Sequence, residues 1–198
     1  MRTTLTVALG VLLGACTSVG TVDKDVAPPK GDEALFILGV SPENHRVQVV
    51  AGSIEYGLFK PDQWSVKAKV YAAPTDGYVV WKGKEAETMA VSMVRIVKEK
   101  GDLLGRDFRP CGEQRTMVFR SPGGKVVYLG DVAYQLTGNS LSVRYNDDFK
   151  AAQGFVERNY PQLKGQLVQG RFDLLPSTFP CGGGGGTTVV PIYTPRGR

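Results

Sequence analysis

Apolar positions along this chain recur mostly with a period of two, which is the signature of strands with one buried face. Ala34-Leu35-Phe36-Ile37-Leu38 is a continuous apolar run, as expected of a strand covered on both sides. Val47, Val49 and Ala51 continue the β pattern, and Ile54, Tyr56 and Leu58 alternate with Glu55, Gly57 and Phe59. Trp64, Val66, Ala68 and Val70 alternate with Ser65, Lys67, Lys69 and Tyr71, which predicts a half-exposed strand. Thr75-Asp76-Gly77 reads as a turn into a strand at Tyr78-Val79-Val80-Trp81. Residues 88–97 mix helical spacing (Met89, Met93, Ile96) with a high Val/Ile content, and the latter favours a strand.

Further strands are predicted at 116–120 and 125–136, separated by the turn Ser121-Pro122-Gly123-Gly124. Val126-Val127-Tyr128-Leu129-Gly130 is apolar on both faces and reads as a central strand. Gly138-Asn139 then turns a hairpin into Leu141-Ser142-Val143-Arg144-Tyr145. One segment changes period. Asn146-Asp147-Asp148 offers caps, and Phe149, Ala152 and Val156 fall at i, i+3 and i+7 with Phe155 beside them, until Tyr160-Pro161 ends the run. This predicts a short amphipathic helix near 148–159, laid against the sheet edge. Strands at spacings of about 8 to 12 residues with turns between them give a mainly β fold, a β-sandwich with that one helix.

The ends of the chain follow different rules. Residues 1–15 carry one charge, Arg2, then an apolar stretch from Leu5 to Leu13 and the small pair Gly14-Ala15. This is the layout of a secretory signal peptide, too short to cross a membrane as a stop-transfer helix. Leu13-Gly14-Ala15-Cys16 resembles the lipobox of bacterial lipoproteins. The resemblance implies signal peptidase recognition through Leu13, Gly14 and Ala15. It also implies cleavage before Cys16 and acylation, including palmitate, of the Cys16 thiol. Residue 17 is Thr, not Asp, which by analogy with Gram-negative lipoproteins favours the outer membrane, facing the periplasm. Residues 16–32 lack apolar periodicity and contain Pro28-Pro29, so they read as a lipidated flexible tether. The β-sandwich domain is expected over 33–176, and 177–198, with Gly182 to Gly186, reads as a glycine-rich tail.

Composition agrees with a single domain: 198 residues, 42% hydrophobic and 9% aromatic, support a packed core. The formal charge of +5 falls to +4 when Arg2 leaves with the signal peptide, and the body over 16–173 carries +2. Lys and Arg are scattered among acids such as Glu85, Glu87 and Glu99, so a solvated surface is expected and no nucleic-acid partner. With Cys16 acylated, Cys111 and Cys181 remain, each in a Pro-Cys-Gly setting. In an exported protein two thiols most simply form one disulfide. The alternatives are two free thiols or a redox pair, for which no Cys-x-x-Cys exists.

Candidate chemistry is sparse. The single histidine, His45, lies in the polar stretch Ser41-Pro42-Glu43-Asn44-His45-Arg46 and reads as an exposed turn residue. No Gly-x-Ser-x-Gly, His-Glu-x-x-His or Ser-x-x-Lys motif occurs, and Asp147-Asp148 is better explained by capping than by Ca²⁺. The expectation is no enzyme, no metal and no cofactor. Trp64, Trp81, Tyr56 and Tyr78 are the residues that would stack on a cell-wall glycan. The segment 101–113 is the loop that would serve an inhibitor.

Gly124-Lys125-Val126-Val127-Tyr128-Leu129-Gly130-Asp131, Tyr145-Asn146-Asp147-Asp148, Ala152 and Tyr160-Pro161, with Asp76-Gly77-Tyr78 upstream, resemble a pattern seen in uncharacterised bacterial envelope lipoproteins. The resemblance implies a small β-sandwich of immunoglobulin or transthyretin type over 33–180 and supplies no catalytic residues. The function expected is a lipid-anchored, non-catalytic envelope protein that presents a β-sandwich for interaction. Its partners would be the membrane, through the anchor, and an envelope protein or cell-wall glycan.

Overall fold

The structure is a computed structural model and describes residues 18–62, 68–102, 104–112, 114–181 and 189–193. Its strands are β1 (Glu33–Ser41), β2 (His45–Glu55), β3 (Leu58–Pro61), β4 (Val70–Ala72), β5 (Tyr78–Lys84), β6 (Thr88–Val97) and β7 (Gly105–Phe108). They continue as β8 (Arg115–Arg120), β9 (Lys125–Thr137), β10 (Ser140–Asn146), β11 (Leu167–Gln169), β12 (Asp173–Pro176) and β13 (Val189–Tyr193). The helix α1 (Phe149–Asn159) is followed by a short 3-10 turn, Pro161–Leu163.

The strands form two packed sheets, a β-sandwich. One runs β13-β10-β9-β1-β5, with β11 beside the first half of β9. The other runs β12-β8-β6-β2-β3, with β4 beside β2 and β7 beside β6. Phe36, Leu38, Val47, Val49, Trp81, Met89, Met117, Phe119, Val127 and Leu129 fill the space between them. At its centre Phe36 stacks on Trp81 at 5.3 Å, and both rings meet Phe119. Aromatic pairs at these separations add to the area they bury.

β1 is buried on both faces, as its apolar run requires. Leu35 and Ile37 point away from the second sheet and pack, with Val80, Val126 and Tyr128, against Ala152, Phe155 and Val156 of α1. The helix therefore lies on the outer face of the first sheet and not at its edge, because that face carries apolar residues that need a cover. Asp148 caps α1, its side chain accepting the Ala151 N–H at 3.0 Å.

Several stretches differ from their sequence reading. The alternation through Tyr56 is broken by a tight hairpin: Tyr56 and Gly57 both have positive φ (52° and 78°), and Tyr56 is fully exposed. Of the strand expected over 64–71, residues 64–67 lie outside the described residues, and the described part is extended only from Val70, where β4 begins. The described part of the expected tail joins the fold. Phe179 packs on Phe59, the Thr178 N–H donates to the Phe59 carbonyl, and β13 adds in parallel to β10.

The N-terminal segment does not behave as a spacer over its described part. Val19 and Tyr71 exchange two backbone hydrogen bonds, each 2.9 Å, so the chain first extends the second sheet at β4. Two residues later Thr21 bridges Trp81 and the Val22 N–H donates to the Val80 carbonyl, so the same segment then covers β5 of the first sheet. Gly20 makes the change of sheet, with φ +77° and a backbone so close that a Cβ would sit 1.9 Å from the Lys69 carbonyl oxygen. Beyond it Val26 is buried against the helix side, and the Gln162 side chain donates to the Lys24 and Val26 carbonyls. Two sheet edges are thereby paired.

Gly20→Val combines left-handed strain with a backbone clash and is expected to cost on the order of 1–3 kcal/mol. It should accelerate amide exchange at Val19 and Tyr71 while the β1 amides keep their protection. Unchanged exchange at Tyr71 would show that the segment is not held by this crossing.

Candidate functional site

A connected polar site lies where α1 meets the first sheet, and a β-bulge builds it. β1 and β9 run parallel, with Ile37 opposite Tyr128 but Gly39 opposite Asp131, so β9 holds one extra residue there. Gly130, at φ +105°, sits in that bulge. In unbroken alternation Asp131 would follow Val127 and Leu129 into the core. The bulge instead turns it to the helix side and returns Val132 to the interior. Asp131 settles directly over Gly39, where a Cβ would lie within 1.8 Å of its carboxylate oxygen.

Asp131 is well connected there. Its Oδ2 accepts the Asp148 backbone N–H at 3.2 Å, and the Tyr128 hydroxyl accepts the same N–H at 3.0 Å while donating to the Asp131 carboxylate. Burial raises the Asp131 pKa, partly offset by these bonds. Burial and the nearby charges of Asp131 and Asp148 push the Tyr78 phenol up to about 12, with Arg158 acting in the opposite sense. Tyr78 also stacks on Phe155 at 4.4 Å. Beside it Tyr78, Asp148, Lys150, Ala151, Gly154 and Arg158 line an open groove of ≈ 460 Å³. The hydrogen bonds of Asp131 are spent on the helix start, so its chemistry is that of a clamp joining helix to sheet. Among the described residues no group of three or more His, Cys, Asp and Glu side chains is arranged to hold a metal ion.

Tyr78, Tyr128, Asp131, Asp148, Ala152 and Tyr160, all part of the motif that carries the lipoprotein resemblance, converge on this contact. The motif reads as a sequence record of one packing event. The bulge that organises it has a visible signal, Gly130-Asp131 interrupting an apolar run.

Other candidate residues are dispersed. Cys111 and Cys181 sit at disulfide distance, with S–S 2.08 Å and Cα–Cα 5.1 Å across 70 residues of sequence. Ser177 reinforces the junction by donating its hydroxyl to the Pro110 carbonyl at 3.0 Å. Leu13, Gly14, Ala15 and Cys16 lie outside the described residues, as does Trp64. Trp81 is fully buried, which removes it from any sugar-stacking surface. Tyr56 stands alone at its hairpin tip, while Tyr78 is half-buried beside the helix. The stretch 101–113 is not a free loop, since β7 pairs with β6 and Phe108 and Pro110 are buried.

His45 also departs from its reading as an exposed turn residue. It opens β2, is only 5% exposed and stacks on Tyr134 at 5.7 Å. Asn44 donates its amide to the Val97 carbonyl, which turns Oδ1 toward His45 Nδ1 at 3.0 Å. Nδ1 must then carry the proton, leaving Nε2 buried without a partner. A charged ring cannot be hydrated there, and burial lowers the pKa from 6.5 to about 4. A small cavity of ≈ 20 Å³ between the sheets, walled by Tyr134, Tyr145, Met93 and Met117 among others, lies on the same side of the core.

No protein-family model, curated protein or solved structure matches the chain.

Two measurements follow. The folded pKa of His45 lies below its unfolded value, so its stabilising contribution is complete above pH 6.5 and is lost as pH falls toward 4. The loss amounts to about 3 kcal/mol. His45→Phe should flatten denaturant midpoints measured across that interval, and an equally steep profile in the variant would refute the assignment. Breaking the cysteine pair with reductant, or with Cys111→Ser, should lower stability by about 4 kcal/mol less any native strain, since a long loop is released in the unfolded chain. Free-thiol titration of the oxidised protein is the companion measurement, and two reactive thiols at positions 111 and 181 would contradict the bridge.

Proposed function

We propose that this chain is a lipid-anchored, non-catalytic lipoprotein of the bacterial cell envelope, displaying a β-sandwich for interaction at the outer membrane on its periplasmic side. The observation that carries the reading is Leu13-Gly14-Ala15-Cys16 at the end of a signal-peptide pattern. Two features support it. A cysteine pair at disulfide distance suits an oxidising compartment. Among the described residues no helix is long and apolar enough to cross a membrane, and the attachment proposed is through the Cys16 thiol. The polar cluster at Asp131 is engaged in holding α1, which agrees with an interaction role more readily than with turnover. The envelope partner is a protein or a cell-wall glycan met by the exposed sandwich surface.

Cys16→Ser should abolish palmitate incorporation and move the protein from the membrane to the soluble fraction. Membrane association that survives this substitution would overturn the anchor.

A further inference from the structure

Resting on the anchored reading of Cys16, we infer that one end of the sandwich lies against the bilayer, with Leu104 and Leu136 entering its headgroup layer. The end in question is fixed by strand direction. β1 finishes there and β2 begins there, β6 leads through residues 98–104 into β7, and the turn at 138–139 joins β9 to β10. The loops at this end hold one another. Arg46 donates to the Lys100 carbonyl, the Asn44 amide to the Val97 carbonyl, and Arg106 to the Gly138 carbonyl.

The described N-terminal segment begins near the same end. Val19 pairs antiparallel with Tyr71, so Ser18 lies on the Ala72 side, and Ala72 is the residue of β4 nearest the turn at 75–77. Cys16 is three residues before Val19 in the sequence, a reach of at most about 10 Å. An anchor at Cys16 would therefore stay within about 10 Å of Val19 and could not reach the opposite end, where the Tyr56-Gly57 hairpin lies.

Three of the six exposed large apolar side chains among the described residues lie at this end, while Tyr56 and Leu58 lie at the opposite hairpin and Val168 beside the start of β9. Leu104 is 88% exposed in the loop before β7, Leu136 is 43% exposed just before the 138–139 turn, and Val19 is 54% exposed beside β4. The charges around them are mixed. Lys98, Lys100 and Arg106 are offset by Glu43, Asp76, Glu99 and Asp102, with Lys100 paired to Glu43 at 3.8 Å. Contact with the bilayer is thus apolar rather than electrostatic, with leucines held at the surface by the acyl anchor.

The test uses the full acylated chain reconstituted into phosphatidylethanolamine/phosphatidylglycerol vesicles that carry a lipid-borne nitroxide quencher. Leu104→Cys, Leu136→Cys and Tyr56→Cys are each labelled with an environment-sensitive fluorophore, the native pair remaining oxidised. The expected result is a blue shift and quenching at 104 and 136, and neither at 56. Vesicle-bound protein whose label at 104 behaves like that at 56 would overturn this orientation while leaving the anchor intact. A full chain that is not acylated and does not bind vesicles would overturn the anchored reading itself, and this inference with it.

Discussion

A strand with no polar face has to be covered twice, and β1 imposes that requirement on the whole molecule. Ala34, Leu35, Phe36, Ile37 and Leu38 are all withdrawn from solvent. Phe36 and Leu38 demand the second sheet, which supplies Phe119, Met89 and Val49. Leu35 and Ile37 demand a third layer, which α1 supplies through Ala152, Phe155 and Val156. Each of these apolar side chains contributes about 1.5–3 kcal/mol when fully buried, so neither cover is dispensable in a domain of ordinary stability.

The third layer explains the bulge. A helix set on a sheet leaves its first N–H groups without partners over an apolar surface. Asp131 reaches the Asp148 N–H only because the extra residue at Gly130 turns it out of the core, and Gly39 leaves room for its carboxylate. Asp148 then caps the Ala151 N–H. Two carboxylates thus serve successive donors, one from the sheet and one from the chain just before the helix. The raised pKa of Asp131 and the elevated Tyr78 phenol are consequences of that crowding under partial burial.

The parts legible from sequence are those governed by local periodicity. Val/Ile content located β6, an apolar run located β9, alternation located β10, the Gly138-Asn139 pair located a hairpin, and the 149–156 stripe with Asp148 located α1 and its cap. What escaped depends on partners distant in the chain. His45 looks polar and exposed among Pro42, Glu43 and Asn44, yet Tyr134, about ninety residues later, buries it. Trp81 sits in a pattern that suits either a surface or a core, and Phe36 with Phe119 decides the matter. Residues 18–26 show no periodicity because they form no regular strand; they change sheets at Gly20 and make single bridges to each. Of the polar site, Gly130-Asp131 is visible as a break in an apolar run, but nothing local shows that Gly39 and the Asp148 N–H lie opposite it.

Docking of the N-terminal segment also changes what an anchor at Cys16 does. A free spacer of about 16 residues has a root-mean-square reach on the order of 20 Å, enough for the domain to turn any face to the membrane. With Val19 already paired to Tyr71 and Thr21 to Trp81, the segment from Val19 onward is not available as a spacer. Fewer orientations remain, and less entropy is lost when one is selected. Under the proposed acylation of Cys16, the hydrogen bonds that protect the two sheet edges would also fasten the domain to its anchor. The same edge-covering segment would then serve as a short stay, so that proposal ties the stability of β4 and β5 to the pose the domain would adopt at a membrane.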